Sequence, residues 1–187
     1  PGDVTDLEAV KAMVGETEAA LGPVDVLVSN AGNSGATRAI PTQFVTMDPK
    51  DWSKYVDINF YAVLNGIHAV LPGMCARRFG RIITIASDAG RQGLAMGMSI
   101  YSGGKAAAMG FQRSLACEVG PMQVTVNTVS LGMIPGDWDA GPPKGTPLGR
   151  HGVPKDVGPA VVYFASDEAS WVTGQILSVN GGVYRNV

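Results

Sequence analysis

The sequence predicts an α/β fold in which a parallel sheet is covered by helices on both faces. Helical patterns and short strands alternate along the chain, which is typical of such sheets. Residues 80–86 form the clearest strand, because this apolar and β-branched run is typical of a strand buried on both faces. The chain has 187 residues, of which 45% are hydrophobic, and this is enough for one buried core. We therefore assign residues 1–187 to a single domain.

The predicted elements follow one another between Gly- and Pro-rich turns. Thr5 or Asp6 caps a first helix at 4–21, which ends at Gly22-Pro23. The next elements are a buried strand at 24–28, a loop, a long helix from 51 to about 75, and the strand at 80–86. They are followed by a helix at about 101–119, a strand at 124–129, an irregular stretch at 131–153, a short helix at 156–165 and a last strand at 176–179.

Composition argues against several classes of function. The net charge is -2 and no basic cluster occurs, which argues against a nucleic-acid-binding or anionic-membrane surface. No apolar run reaches the length of a membrane span and no secretory signal is recognisable, so we expect a soluble cytoplasmic protein. Cys75 and Cys117 lack Cys-x-x-Cys spacing and are expected to be reduced. No metal site is predicted.

Three residues indicate proton-transfer chemistry. Tyr101 and Lys105 lie four positions apart on a predicted helix and therefore share a face. An ammonium beside a phenol favours the phenolate, so we expect a lowered pKa for Tyr101. Ser87 ends a strand at the sheet edge where ligands bind. The alternatives are a chance pairing on an amphipathic helix and, for Ser87, a cap or turn residue.

These residues belong to a longer series of motifs. The series consists of Asp3-Val4 before a helix, Asn30-Ala31-Gly32 after a strand, Asn59 in a helix, Ser87, Tyr101 with Lys105, and Asn127 in a strand. It ends in a tail that contains Pro147-Leu-Gly-Arg150, Ala165-Ser-Asp-Glu-Ala-Ser170, Val172-Thr-Gly-Gln175 and Val179-Asn-Gly-Gly182. With this series the chain resembles the short-chain dehydrogenase/reductase family over essentially its whole length. The tail is most similar to the branch that contains 3-oxoacyl-thioester reductases. The resemblance implies a Rossmann-like, doubly wound parallel sheet.

The resemblance also implies catalytic roles. The residue at Tyr101 exchanges a proton with the substrate oxygen, and the residue at Ser87 holds that oxygen. The residue at Lys105 binds the nicotinamide ribose and lowers the pKa of the tyrosine. Asn59 matches a position at which a helix distortion anchors a water that links the lysine to solvent. The alternative for Asn59 is an amide on the helix surface.

NAD or NADP is the cofactor that the resemblance implies. Asp3 and Val4 match positions at the adenine ring, and Asn30, Ala31 and Gly32 match positions at the adenosine ribose. Tyr101, Lys105, Gly132 and Ile134 complete the predicted cofactor-binding set. Asn30 has an equally good interpretation as a structural amide that ties neighbouring strands.

The chain departs from the family pattern at several points. Leu131 stands where a proline is usual and Gly136 where a threonine is usual, which puts anchoring of the carboxamide in doubt. The loop towards Pro147 is shorter than the usual substrate lid and suits either a carrier-bound substrate or a small ketone. The Gly-rich turn that receives a pyrophosphate is absent, so we expect the chain to be a piece of a longer protein that begins in mid-fold. The residue that selects NAD or NADP is absent with it.

Two functions from different classes follow. The first is an NAD(P)-dependent oxidoreductase that interconverts a secondary alcohol and a ketone, with a small-molecule substrate of which a 3-oxoacyl thioester is one candidate. The second is a non-catalytic relative that keeps the fold for assembly. Under either function we expect a homo-oligomer, because the helices at 51–75 and 101–119 are apolar on more than one face. The resemblance implies a dimer of dimers.

Overall fold

The computed structural model describes residues 2–32, 42–94, 97–135, 140–141 and 143–185. Its helices are α1 (Leu7–Leu21), α2 (Trp52–Val56), α3 (Ala62–Arg77), α4 (Ser99–Val119) and α5 (Pro154–Ala165). Its strands are β1 (Val26–Ser29), β2 (Gly80–Ser87), β3 (Val124–Leu131) and β4 (Ile176–Val179). A π-helical turn, Asp57–Tyr61, joins α2 to α3. The predicted order of helices and strands is therefore confirmed.

The capping residues of α1 explain why the sequence predicted where this helix begins and ends. The Asp6 carboxylate accepts hydrogen bonds from the backbone N–H groups of Glu8 and Ala9, so Asp6 rather than Thr5 is the cap. Gly22 ends the helix with a φ of 89°, a conformation that residues with a side chain rarely adopt.

All four strands are parallel and lie in the order β1-β2-β3-β4. Ser29 is level with Thr84, Ser87 with Leu131, and Leu131 with Val179. The carboxyl ends of the strands therefore meet at one edge of the sheet, which is where ligands bind in open α/β sheets. The predicted parallel, Rossmann-like architecture is confirmed.

Helices cover both faces of this sheet. On one face, α3 and α4 pack Ile67, Val70 and Leu115 against Ile82 and Val126. On the other face, α5 packs the buried ring of its own Phe164 against Ile83, Ile85 and Val129. The helical stretch Pro49–Arg77 has the length and hydropathy of a membrane span, but α3 contacts α1, β1 and β2 and so belongs to this core.

The prediction that the first strand is buried is wrong. Val26 is 39% exposed and Val28 is 40% exposed. Within the part of the chain that the structure describes, β1 pairs only with β2 and is an edge strand. A run of apolar residues indicates a strand, but its burial depends on neighbours that the run itself does not specify.

Asn127, in the middle of β3, ties the sheet to the loop that leads into β4. Its Nδ2 donates to the carbonyl oxygen of Val172 at 2.7 Å, and its Oδ1 accepts from the Gln175 N–H at 3.1 Å. We expect Asn127→Ala to lower the free energy of unfolding by about 2–4 kcal/mol, because two loop groups lose their partner. Chemical denaturation followed by circular dichroism measures this difference.

Thr125 provides a matched control on the same strand. It is buried, and its hydroxyl has no hydrogen-bond partner among the described residues. Thr125→Val keeps the shape and removes an unpaired polar group, so we expect a change within about 1 kcal/mol, neutral or stabilising. Equal losses in the two variants would contradict the assignment of the Asn127 effect to its two hydrogen bonds.

Candidate active site

The end of β2 and the start of α4 bring Ser87 and Tyr101 together. The Ser87 hydroxyl accepts from the backbone N–H of Ala89 at 3.2 Å and is also hydrogen-bonded to the Tyr101 phenol. Because α4 begins at Ser99, Tyr101 lies in its first turn and Lys105 lies one turn further on. Ser87 and Tyr101, which a loop separates in the sequence, therefore meet at the carboxyl edge of the sheet.

Lys105 is almost completely buried. The residue is 4% exposed, and its Nζ donates to the carbonyl oxygen of Ile85, on β2, at 3.0 Å. Burial disfavours the ammonium and lowers its pKa from 10.5 to about 8. An ammonium has three N–H donors, so the bond to Ile85 leaves Lys105 with further donors for a ligand at the same edge.

The predicted direction of the Tyr101 pKa is wrong. Burial raises the pKa of the phenol, and the hydrogen bond with Ser87 offsets only part of this effect. The Lys105 Nζ lies 6.0 Å from the centroid of the tyrosine ring and points to Ile85. Sequence spacing predicted correctly that the two side chains are neighbours, but it did not show that desolvation sets the direction of the pKa shift of Tyr101.

Asn59 lies in the π-helical turn between α2 and α3. The residue is fully buried, and its Nδ2 donates to the carbonyl oxygen of Tyr55 at 2.9 Å. The alternative of an amide on the helix surface is therefore wrong. A π-turn widens the helix by one residue and often marks a functional position, in agreement with the distortion that the family resemblance implied.

Gly32 brings the loop after β1 against this group. A Cβ built on Gly32 would lie 2.7 Å from Lys105 Nζ and 3.1 Å from Asn59 Oδ1, so a side chain has no room there. The structure thus places Gly32, Asn59 and Lys105 side by side. Asn30 and Ala31, which precede Gly32, are exposed at the carboxyl end of β1.

Asp3 and Val4 lie in a turn before α1. The Asp3 carboxylate accepts from both the N–H and the hydroxyl of Thr5, at 2.8 and 2.7 Å, and these bonds lower its pKa. Asn65, on α3, holds the turn by donating to the carbonyl oxygens of Val4 and Thr5 at 3.1 Å each. Sequence reasoning missed Asn65, because its partners lie about 60 residues away along the chain.

The last two predicted cofactor residues follow β3. Gly132 donates its N–H to the carbonyl oxygen of Val179, and a Cβ on Gly132 would lie 2.8 Å from the Cα of Asn180. Ile134 lines a cavity of about 400 Å³ together with Met133, Pro147, Leu148 and His151. Ser87, Tyr101 and Lys105 do not line that cavity. Gly136 lies outside the described residues.

The residues present fit the nicotinamide end of a dinucleotide. Gly32 leaves backbone open to close approach, and the buried Lys105 has donors available beyond the one used by Ile85. A phenol and a hydroxyl, Tyr101 and Ser87, lie beside them. The fold and this cluster together define a class, the parallel α/β proteins that bind a nucleotide-type ligand at the carboxyl edge of the sheet.

Comparison with known proteins identifies the family. A family model described as enoyl-(acyl carrier protein) reductase matches residues 1–184. The chain is 40% identical to nodulation protein G of Azospirillum brasilense and 37% identical to acetoacetyl-CoA reductase of Shinella zoogloeoides. Each match covers 97% of this chain, and 75% and 77% of the respective relative.

A solved structure gives the same result. A crystal structure of a 3-oxoacyl-[acyl-carrier protein] reductase with bound NAD, from Brucella melitensis, superposes with a TM-score of 0.89 at 35% identity. The match covers 98% of this chain and 70% of that one. The chain belongs to the short-chain dehydrogenase/reductase family. It is an NAD(P)-dependent oxidoreductase, and the predicted NAD or NADP cofactor is confirmed, without a preference between the two.

Proposed function

We propose that the protein reduces the ketone of a 3-oxoacyl thioester to the secondary alcohol, with Tyr101 as the general acid. The observation that carries this proposal is the hydrogen bond between the Ser87 hydroxyl and the buried Tyr101 phenol at the carboxyl edge of the sheet. Two O–H groups at one point suit a carbonyl oxygen, which accepts two hydrogen bonds. The names of the acetoacetyl-CoA and 3-oxoacyl reductases among the relatives support the thioester as substrate.

The side chains divide the work of the reaction. The nicotinamide, when bound, supplies the hydride. Ser87 donates a hydrogen bond that orients the substrate oxygen, and Tyr101 donates the proton that this oxygen takes up as negative charge develops on it. Lys105 binds the ribose hydroxyls with the donors that Ile85 leaves available. Asn59, whose Oδ1 faces the same Gly32 backbone as Lys105, holds a water that returns the proton from solvent.

The raised pKa of Tyr101 favours the reductive direction near neutral pH. Reduction needs the neutral phenol, which is the form that burial stabilises. Alcohol oxidation needs the phenolate, which is scarce until the pH approaches the raised pKa. The protein is therefore better suited to reduce ketones than to oxidise alcohols under these conditions.

Because reduction needs the neutral phenol and oxidation needs the phenolate, we predict different dependences of kcat on pH for the two directions. We expect kcat for alcohol oxidation to increase across the range from about pH 7 to 10, by up to about tenfold per unit, as the phenolate fraction grows. Ketone reduction should vary little below about pH 8, where both Tyr101 and Lys105 keep their protons. Initial rates in both directions measure the two profiles. An oxidation rate that is flat above about pH 7 would contradict a raised pKa.

Purified protein of full natural length tests the proposed function. We expect oxidation of NADPH or NADH on addition of acetoacetyl-CoA, with a higher kcat/KM than for ethyl acetoacetate, which has the same ketone but lacks the thioester and carrier. Equal values for the two substrates would favour a small-ketone reductase. A folded protein that oxidises neither coenzyme with either substrate would favour the non-catalytic alternative.

Assembly and location are part of the same proposal. We propose a cytoplasmic location. We also expect a homotetramer, a dimer of dimers, because α4 exposes a face of small residues and β4, at the edge of the described sheet, exposes Leu177. Such surfaces suit close contact with a second copy. Sedimentation at micromolar concentration tests this expectation, and a monomer would contradict it.

A further inference from the structure

A buried carboxylate that the proposed reaction does not use lies directly behind Ser87. Asp88 follows Ser87 in the chain, begins the 3₁₀ turn Asp88–Gly90 and is 4% exposed. Its Oδ1 accepts a hydrogen bond from Ser130 Oγ, and its Oδ2 accepts one from Asn180 Nδ2, both at 2.6 Å. Bonds this short are typical of strong, directional bonds to a carboxylate.

The two partners of Asp88 belong to the neighbouring strands. Ser130 lies near the end of β3, two residues before Gly132, and Asn180 directly follows β4. The backbone of Asn180 packs against Gly132, where a Cβ would meet the Asn180 Cα at 2.8 Å. Asp88 therefore connects the ends of three strands on which the predicted substrate and cofactor groups lie.

Asn180 is held in one orientation. Its Nδ2 also donates to the carbonyl oxygen of Tyr184, and its Oδ1 accepts from the Gly182 N–H, both at 2.9 Å. Rotating the amide by half a turn would exchange donor and acceptor and break both bonds. Asn180 therefore presents an N–H donor to position 88, and the side chain at position 88 must supply an acceptor.

We propose that Asp88 is a positioning residue, which through Ser130 and Asn180 sets the separation between Ser87 and the Gly132 segment. This inference rests on the proposed function, in which Ser87 holds the substrate oxygen and the Gly132 segment borders the cofactor. Backbone pairing of Ser87 with Leu131 aligns the strands themselves. Among the described residues after β4, the Gly181 carbonyl oxygen accepts a backbone hydrogen bond from Leu148, and the side-chain bond from Asn180 to Asp88 adds a direct link to the end of β2.

The chain offers a matched set of variants. Asp88→Leu removes both acceptors and keeps the number and branching of the side-chain heavy atoms. Asp88→Asn is the control, because its carbonyl oxygen can accept from Asn180 while its amide donates to the Ser130 hydroxyl, which accepts as well as donates. Asn180→Asp places two carboxylates against each other, and adding Asp88→Asn to it restores a donor facing an acceptor.

The experiment measures kcat and KM for ketone reduction at a temperature where circular dichroism shows each variant folded. We expect Asp88→Leu and Asn180→Asp to lower kcat about tenfold or more, since small misplacements of reacting groups have large effects on rate. Asp88→Asn should stay within about threefold of the unmodified protein, and the double variant should recover part of the loss of Asn180→Asp, since the bond to the Tyr184 carbonyl oxygen stays absent. Unchanged kcat in Asp88→Leu, or a loss that only follows the loss of folded protein, would overturn the proposal.

Hydrogen exchange separates this proposal from the proposed function. We expect faster exchange at the amides of Gly132 and Gly182 in Asp88→Leu, with little change in Asp88→Asn. Unchanged exchange in Asp88→Leu overturns the positioning role whether or not the protein is active. A protein that reduces no ketone, yet shows the faster exchange, would refute the proposed function and leave the coupling of the strand ends supported.

Discussion

Replacing Tyr101 with Phe is expected to lower kcat for ketone reduction by about 10²–10⁴-fold, the range over which a positioned general acid contributes. The substitution removes one oxygen and keeps the ring. The variant loses the hydrogen bond between the phenol and Ser87. The Ser87 hydroxyl still accepts the hydrogen bond from the Ala89 N–H. KM for the substrate should change less than kcat, because protonation matters most as charge develops on the oxygen.

Two further variants make this experiment specific. Tyr163→Phe, at a half-exposed position on α5, removes an equivalent hydroxyl away from the strand ends and should leave kcat unchanged. Ser87→Ala should lower kcat by about 10–10³-fold, since one hydrogen bond to the developing charge is lost. A Tyr101→Phe protein that retains more than about a tenth of the rate would assign proton transfer to another group.

The features that the sequence predicted well depend on local patterns. Asp6 and Gly22 fix the two ends of α1 through contacts within a few residues. Tyr101 and Lys105 share a face because one helical turn separates them. Residues 80–86 have the composition of a buried strand, and β2 is buried along almost its whole length. In the first two cases the interacting groups are close in the chain, and in the third the composition of the run is itself the signal.

The features that were wrong or missed depend on distant neighbours. The exposure of Val26 follows from the position of β1 at the sheet edge. The pKa of Tyr101 depends on how deeply the folded chain buries it, and spacing does not reveal this. Asp88 and Asn180 are 92 residues apart, and a single sequence gives no sign that they meet. The π-helical turn at Asn59 was implied only by the family resemblance.

Replacing Lys105 with Met is expected to stabilise the protein at neutral pH while removing most of its activity. The pKa of Lys105 falls from 10.5 to about 8 on folding, because the buried site disfavours the ammonium. Below about pH 8 the group is protonated in both the folded and the unfolded chain, so folding then carries the full cost of burying a charge. That cost is about 3 kcal/mol, and it disappears as the pH rises from about 8 to 10.5.

Met has a similar length and no charge, so the variant avoids this cost. It also loses the bond from Nζ to Ile85, which lowers the expected net gain to about 1–3 kcal/mol at about pH 7. The melting temperature should rise by a few degrees to about ten degrees at about pH 7, and near pH 10.5 this gain should be lost and slightly reversed, because only the missing bond to Ile85 remains. Thermal unfolding followed by circular dichroism across about pH 6–10.5 measures this.

Activity should change in the opposite direction. Loss of the charged donors to the ribose should lower kcat/KM by about 100-fold or more. Lys50→Met is the control, because that side chain is 79% exposed and its ion pair with Asp48 lies at the surface, so both stability and activity should stay nearly unchanged. A Lys105→Met protein that is less stable at about pH 7, or whose advantage persists unchanged at high pH, would show that the ammonium is not desolvated in the folded chain. Under the proposed function, the stabilisation and the loss of activity have one cause, which is removal of an unfavourable buried cation that binds the cofactor ribose.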